Sequence, residues 1–149
     1  MCQVHKSSSH EQMQAEEIIC RIVESILDTK LERNKKIFLS DNPYTFIQPD
    51  FYSEKYNVIG EIFAHIGKPK KSQNNKISND VLKMLLLEKI QKKTYRKIIV
   101  VCDTEEEKTL TGQSVLAESI RQFDVEIMRV ELDSEMRDRI IAAQERQKR

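Results

Sequence analysis

Residues 98–101, Ile98-Ile99-Val100-Val101, constrain the fold more than any other stretch of the chain. Successive side chains of a strand point to opposite faces, so a strand built on this run is apolar on both sides and must be covered on both. The run predicts a strand over 97–102 in a sheet with helices on both faces, which is the α/β class. The rest of the chain suits such a fold. Only three Gly and three Pro interrupt 149 residues, and 39% of them are hydrophobic, too many for a disordered chain. Length and composition fit a single domain over 10–149 behind a flexible polar tail over 1–9.

Periodicity supplies the other elements. Ser8 and Glu11 have the spacing of a capping box and open a helix over 11–27. Its apolar stripe is Ala15, Ile18, Ile19, Ile22, Val23 and Ile26, and Glu16 lies on the edge of that stripe. Strands are predicted over 37–39, 45–52 and 56–66, separated by Asp41-Asn42-Pro43 and Ser53-Glu54-Lys55, and they read as an antiparallel meander. Ser78 caps a central helix over 78–91 that is apolar around most of its circumference, with Ile77, Val81, Leu82, Met84, Leu85 and Leu86. A helix over 113–123, a strand over 125–132 and a last helix capped by Asp133 follow. That helix turns Met136, Ile140, Ile141 and Ala143 inward and has a basic end over 146–149.

Bulk properties exclude several function classes. No apolar run approaches the roughly 20 residues of a membrane span. Cys2, Cys20 and Cys102 are an odd set without metal-ligand spacing, and the first residues lack the apolar stretch of a signal peptide, so a cytoplasmic protein is expected. The formal net charge of +1 provides no molecule-wide field for nucleic acid. Local charge does: over 68–83, five lysines (Lys68, Lys70, Lys71, Lys76, Lys83) stand against Asp80 alone. Such a segment is either a solvated loop or a phosphate-tracking surface.

The acids that carry chemistry are Asp50, which follows Pro49 near the end of the second strand, and Glu61, inside the third. A hairpin between those strands brings the two carboxylates together. Ile59, Glu61, Phe63 and His65 alternate onto one face, and the surroundings of Glu61 are largely apolar, so its charge needs a partner. Two carboxylates completed by water and substrate phosphate suit Mg²⁺ or Mn²⁺. The alternative is a turn acid at Asp50 and a cross-sheet ion pair at Glu61. His65 reads as a satisfied rim or core histidine and Asp103 as a turn or cap residue; His5 and His10 carry no signal.

Pro49-Asp50 followed by Gly60-Glu61 in an apolar strand resembles the PD-(D/E)xK signature of the restriction-endonuclease-like superfamily. The run GEIFAHIGKPKKSQNNK with the downstream DVLKMLL is similar to a small bacterial group of this type. The resemblance implies an αβββαβ core over 11–132, Asp50 and Glu61 as metal ligands, Glu16 as a further acid on the first helix, and Mg²⁺-dependent cleavage of DNA. It also implies a lysine two residues after Glu61, where this chain has Phe63. A substitute cation then has to come from Lys76 or Lys83, which share a helical stripe with Asp80 that Gln73 joins if the helix starts early, or from Lys68. Lys68, Lys70, Lys71, Gln73, Asn74 and Lys76 become the nucleic-acid contacts. By analogy with small nucleases that cut both strands, a homodimer is expected. The competing expectation is a module that keeps the fold and binds or assembles without catalysis, with Phe63 as its main support.

Overall fold

A computed structural model of the chain describes residues 6–147, with side chains described for residues 10–147. Its elements are α1 (Lys6–Leu27), β1 (Glu32–Arg33), β2 (Ile37–Ser40), β3 (Thr45–Ile47), β4 (Phe51–Ser53), β5 (Val58–Phe63), α2 (Lys71–Gln91), β6 (Arg96–Val101), α3 (Thr104–Leu110), α4 (Val115–Gln122), β7 (Val125–Arg129) and α5 (Ser134–Gln147). The fold is mixed α/β. A five-stranded sheet runs β1-β4-β5-β6-β7, antiparallel from β1 to β5 and parallel from β5 to β7. The parallel pairs demand helical crossovers, supplied by α2 and by α3 with α4.

The apolar run in β6 lies inside this sheet, and all four of its side chains are at most 1% exposed. Ile98 and Val100 enter a core shared with Ala15, Ile19 and Val23 of α1 and with Met136 and Ile140 of α5. Ile99 and Val101 enter a second core on the opposite face with Ile77, Val81, Met84 and Leu87 of α2 and Ile120 of α4. Each of the four β6 aliphatics contributes about 1.5–3 kcal/mol relative to exposure, so one strand stitches both layers.

The predicted strand over 45–52 is two strands. β3 pairs with β2 in a separate two-stranded sheet, whereas β4 pairs with β1 and β5 in the main one, and Gln48-Pro49-Asp50 carries the chain between them. Pro49 has no amide hydrogen to continue a ladder, and the predicted meander therefore breaks there. β5 is shorter than 56–66 because Asn57 adopts a left-handed turn conformation at φ 52 and residues 64–66 leave the sheet.

The central helix begins at Lys71, seven residues before Ser78. Gln73 Oε1 accepts from the backbone N–H of Lys70 at 2.7 Å and so stabilises an earlier start, while Ser78 Oγ donates back to the Asn74 carbonyl. Its buried face is Ile77, Asp80, Val81, Met84 and Leu87; Leu82 and Leu86 are exposed, so it is covered on one side only. Ile18 and Ile26 of α1 and Ile141 of α5 are likewise exposed rather than inward.

At the start, α1 runs from Lys6, placing Ser8 inside the helix rather than at its cap; the tail and His5 over residues 1–5, like Lys148 and Arg149 of the basic end, lie outside the described residues. Asp133 does cap α5, its Oδ1 accepting from Met136 N at 2.8 Å. The helix α3 has no counterpart in the predicted elements. Among the described residues, no helix is long and apolar enough to cross a membrane.

Candidate active site

The β4–β5 register aligns the two acids. Phe51 pairs with Gly60 at the end of the ladder, and Asp50 and Glu61 are the residues immediately beyond that rung. Asp50 Oδ2 accepts from the Ile62 backbone N–H at 2.7 Å, which orients its carboxylate across the strand gap. The Asp50 and Glu61 carboxyl groups act on each other through charge. Glu61 is the one whose proton is favoured: its burial, then the charges of Asp50 and Asp80, raise its pKa well above the usual range, with Lys83 opposing.

Two more acids share this field. Asp80 reaches it from α2 and is 5% exposed; burial raises its pKa against the lowering effect of Lys76 and Lys83. Its Oδ1 lies 3.4 Å from Lys83 Nζ and its Oδ2 3.9 Å from Lys76 Nζ. Glu16, on α1, is pushed up to about 7 by burial and by the charge of Asp50, with Lys76 opposing. The sequence stripe of Lys76, Asp80 and Lys83 therefore does turn towards the acids, and Gln73 joins it because α2 begins early. Asp80 was legible only as the one acid in a basic segment, flanked by lysines at i−4 and i+3.

A cleft of about 250 Å³ opens beside the acids, and its lining includes Glu16, Asp50, Phe63, His65, Gln73 and Lys76. Glu61 and Asp80 are buried behind it. Lys68, Lys70 and Lys71 are exposed on the stretch that leads from His65 into α2; Lys68 is outside the lining of this cleft. Among the described residues, no group of three or more His, Cys, Asp or Glu side chains is arranged to hold a metal ion. The arrangement is a juxtaposed pair, Asp50 with Glu61, and two neighbouring acids, Glu16 and Asp80, that interact with it through charge.

His65 is satisfied, as its sequence context predicts, but by a residue the sequence did not single out. Its Nδ1 lies 2.6 Å from Glu106 Oε1, and Glu106, in α3, is wholly buried. The imidazole also stacks on Phe63 with ring centroids 5.3 Å apart and an interplanar angle of 7°. Glu105-Glu106-Glu107 after Asp103 has the acidic first turn of a helix, and Leu110 four residues on gives Glu106 an apolar face, which is the signal that could have found it. Asp103 does more than start α3: its Oδ2 accepts from Gly67 N at 2.8 Å and its Oδ1 from Arg137 at 3.1 Å. Comparison of the chain with protein-family models, with curated proteins and with solved structures returns no match.

Proposed function

We propose that the chain is a divalent-metal-dependent phosphodiesterase of the PD-(D/E)xK type that cleaves DNA. The observation that carries this reading is the juxtaposition of Asp50, on the wall of an open cleft, with Glu61, buried beside it at the end of the β4–β5 ladder. The order α1, β4, β5, α2, β6 supports a restriction-endonuclease-like core. A donor set made only of carboxylate oxygens, crowded enough that Glu61 and Glu16 hold protons against their own repulsion, fits a hard divalent cation such as Mg²⁺ or Mn²⁺. Asp50 and Glu61 would hold it, with Glu16 on the cleft wall and Asp80 buried nearby. When bound, such an ion polarises a phosphoryl oxygen and makes water a stronger nucleophile.

The chain's own residues define where a phosphodiester can go. Lys76 borders the cleft and supplies positive charge for the phosphoryl oxygens. Lys68, Lys70 and Lys71 line the exposed approach and suit sequence-independent backbone contacts. Lys83 offsets the acidic field at Glu61 from α2. The decisive experiment is single-turnover cleavage of plasmid and branched DNA with Mg²⁺ or Mn²⁺: wild type is expected to cut and Asp50→Asn to be inert. A wild type inert on every DNA tried favours the second reading, a nucleic-acid-binding module without catalysis, whose specific support is the aromatic Phe63 where a lysine belongs.

A further inference from the structure

Phe63 occupies the position of the missing lysine, yet it also builds something. Its ring is the platform on which the His65 imidazole lies flat. The segment after β5 that carries His65 is fastened from three directions. The Cys102 thiol donates to the His65 carbonyl at 3.5 Å, the Gln144 amide both donates to the Ile66 carbonyl at 3.0 Å and accepts from Ile66 N at 2.8 Å, and Asp103 accepts from Gly67 N. The histidine is thus preorganised, 12% exposed, on the wall of the same cleft as Asp50, Glu16 and Lys76.

Its partner fixes which nitrogen bears hydrogen. Glu106 is 0% exposed, and its Oε2 has no hydrogen-bond partner among the described residues. A lone buried anion with an orphaned oxygen is costly, so the pair retains a proton across the 2.6 Å gap between Oε1 and Nδ1. That proton sits either on nitrogen, giving imidazolium and carboxylate, or on oxygen, giving imidazole and carboxylic acid. In both forms Nε2 carries a hydrogen, and Nε2 makes no hydrogen bond to the described residues. Burial, opposed by His65, raises the Glu106 pKa and agrees with the retained proton.

Resting on the nuclease reading above, we propose that the His65–Glu106 pair is the proton donor of this site, with His65 Nε2–H serving the oxygen that leaves phosphorus. In the step, water oxygen forms the new P–O bond, the old P–O bond breaks with its electron pair on the leaving oxygen, and that oxygen takes the Nε2 proton. The attacking water's proton passes to solvent, from which the pair is reloaded. Glu106 is a positioning residue: it holds the proton in the pair and never meets the substrate. The charged groups around the imidazole are Glu106 and Asp103 at the α3 end, Glu16 on α1, Asp50 before β4, Lys76 on α2 and Arg137 on α5.

The test uses the full chain with two phosphodiester substrates, one natural and one with sulfur in place of the leaving oxygen, whose thiolate departs without a proton. His65→Gln is expected to bind DNA as wild type does but to cut the natural substrate about 10²–10⁴-fold more slowly, the size of general acid–base catalysis. On the sulfur substrate the deficit is expected to shrink to within a few-fold, and Glu106→Gln to share that rescue. Long-range ¹H–¹⁵N spectra of the metal-free protein provide a readout independent of activity: hydrogen on Nε2 in wild type, and mixed tautomers in Glu106→Ala. An unprotonated Nε2, or an equal His65→Gln deficit on both substrates, overturns the donor role. If wild type cleaves and His65→Gln matches it, only the donor role falls; if wild type cleaves neither substrate, the nuclease reading falls and takes the role with it.

Discussion

The phenyl ring of Phe51 fills the space that a side chain on Gly60 would need: a Cβ there would lie 1.9 Å from Phe51 Cζ. These two residues form the β4–β5 rung next to Asp50 and Glu61, and Phe51 is wholly buried. The bare glycine is therefore a condition for the ring's position on the rung adjoining the acids.

Gly60→Ala is accordingly expected to destabilise the fold by at least the ~1–3 kcal/mol typical of overpacking, and to weaken divalent-metal binding along with it. Urea denaturation followed by circular dichroism, with Mn²⁺ titration of the folded fraction, measures both. A variant as stable as wild type contradicts the packing account.

Protonation of the acids gives the metal-free protein an unusual pH dependence. Glu16 and Glu61 have folded-state pKa values above their unfolded ones, so the associated stability is present in full below about pH 4.5 and is lost as the pH rises through the folded values, about 7 for Glu16. The loss at Glu16 is on the order of 3 kcal/mol. Thermal melts between pH 5 and pH 8.5 are expected to fall with pH for wild type and to flatten in Glu16→Gln and Glu61→Gln. Added Mg²⁺ is expected to restore stability at the alkaline end, where it replaces the lost protons.

Asp50→Asn and Glu61→Gln each remove an oxygen donor from the juxtaposed pair without changing shape. Calorimetry is expected to show Mn²⁺ binding abolished in both, with circular dichroism unchanged. Wild-type affinity in both variants removes the pair as the metal site.

Lys76 reaches the cleft and the charge of Glu16, Lys83 the charge of Glu61, and both act on Asp80. Lys76→Met is expected to slow single-turnover cleavage by about 10²–10³-fold, the loss of one transition-state stabiliser, with Lys83→Met less affected. The reverse order would assign the stabilising charge to Lys83.

Lys68, Lys70 and Lys71 are exposed along the approach to α2. Their joint replacement by Ala is expected to flatten the salt dependence of DNA binding by about 0.9 log-log units per lost duplex contact. Fluorescence anisotropy at several salt concentrations reads the slope, and an unaltered slope places the binding surface elsewhere.

The α/β class was legible because one short run, residues 98–101, could only be buried on both faces. Asp50 beside Glu61 was legible because a hairpin fixes its register within a few residues. What failed were judgements that depend on distant partners. Nothing local to residues 45–52 reveals that β3 and β4 belong to different sheets. The His65–Glu106 pair spans 41 residues, and its burial is decided by how α3 packs rather than by either residue's neighbours. Leu82 and Leu86 mislead in the opposite sense, since apolar character alone does not say which helical face meets the sheet.

The two-way grip of Gln144 on Ile66 joins positions 78 residues apart in the chain. During synthesis the strand bearing Glu61 and the segment bearing His65 leave the ribosome long before residue 144 exists. Contacts of such sequence separation form late, after the cost of closing the intervening loop has been met. The nascent chain therefore carries its acids before the tether that seats the histidine loop has been made.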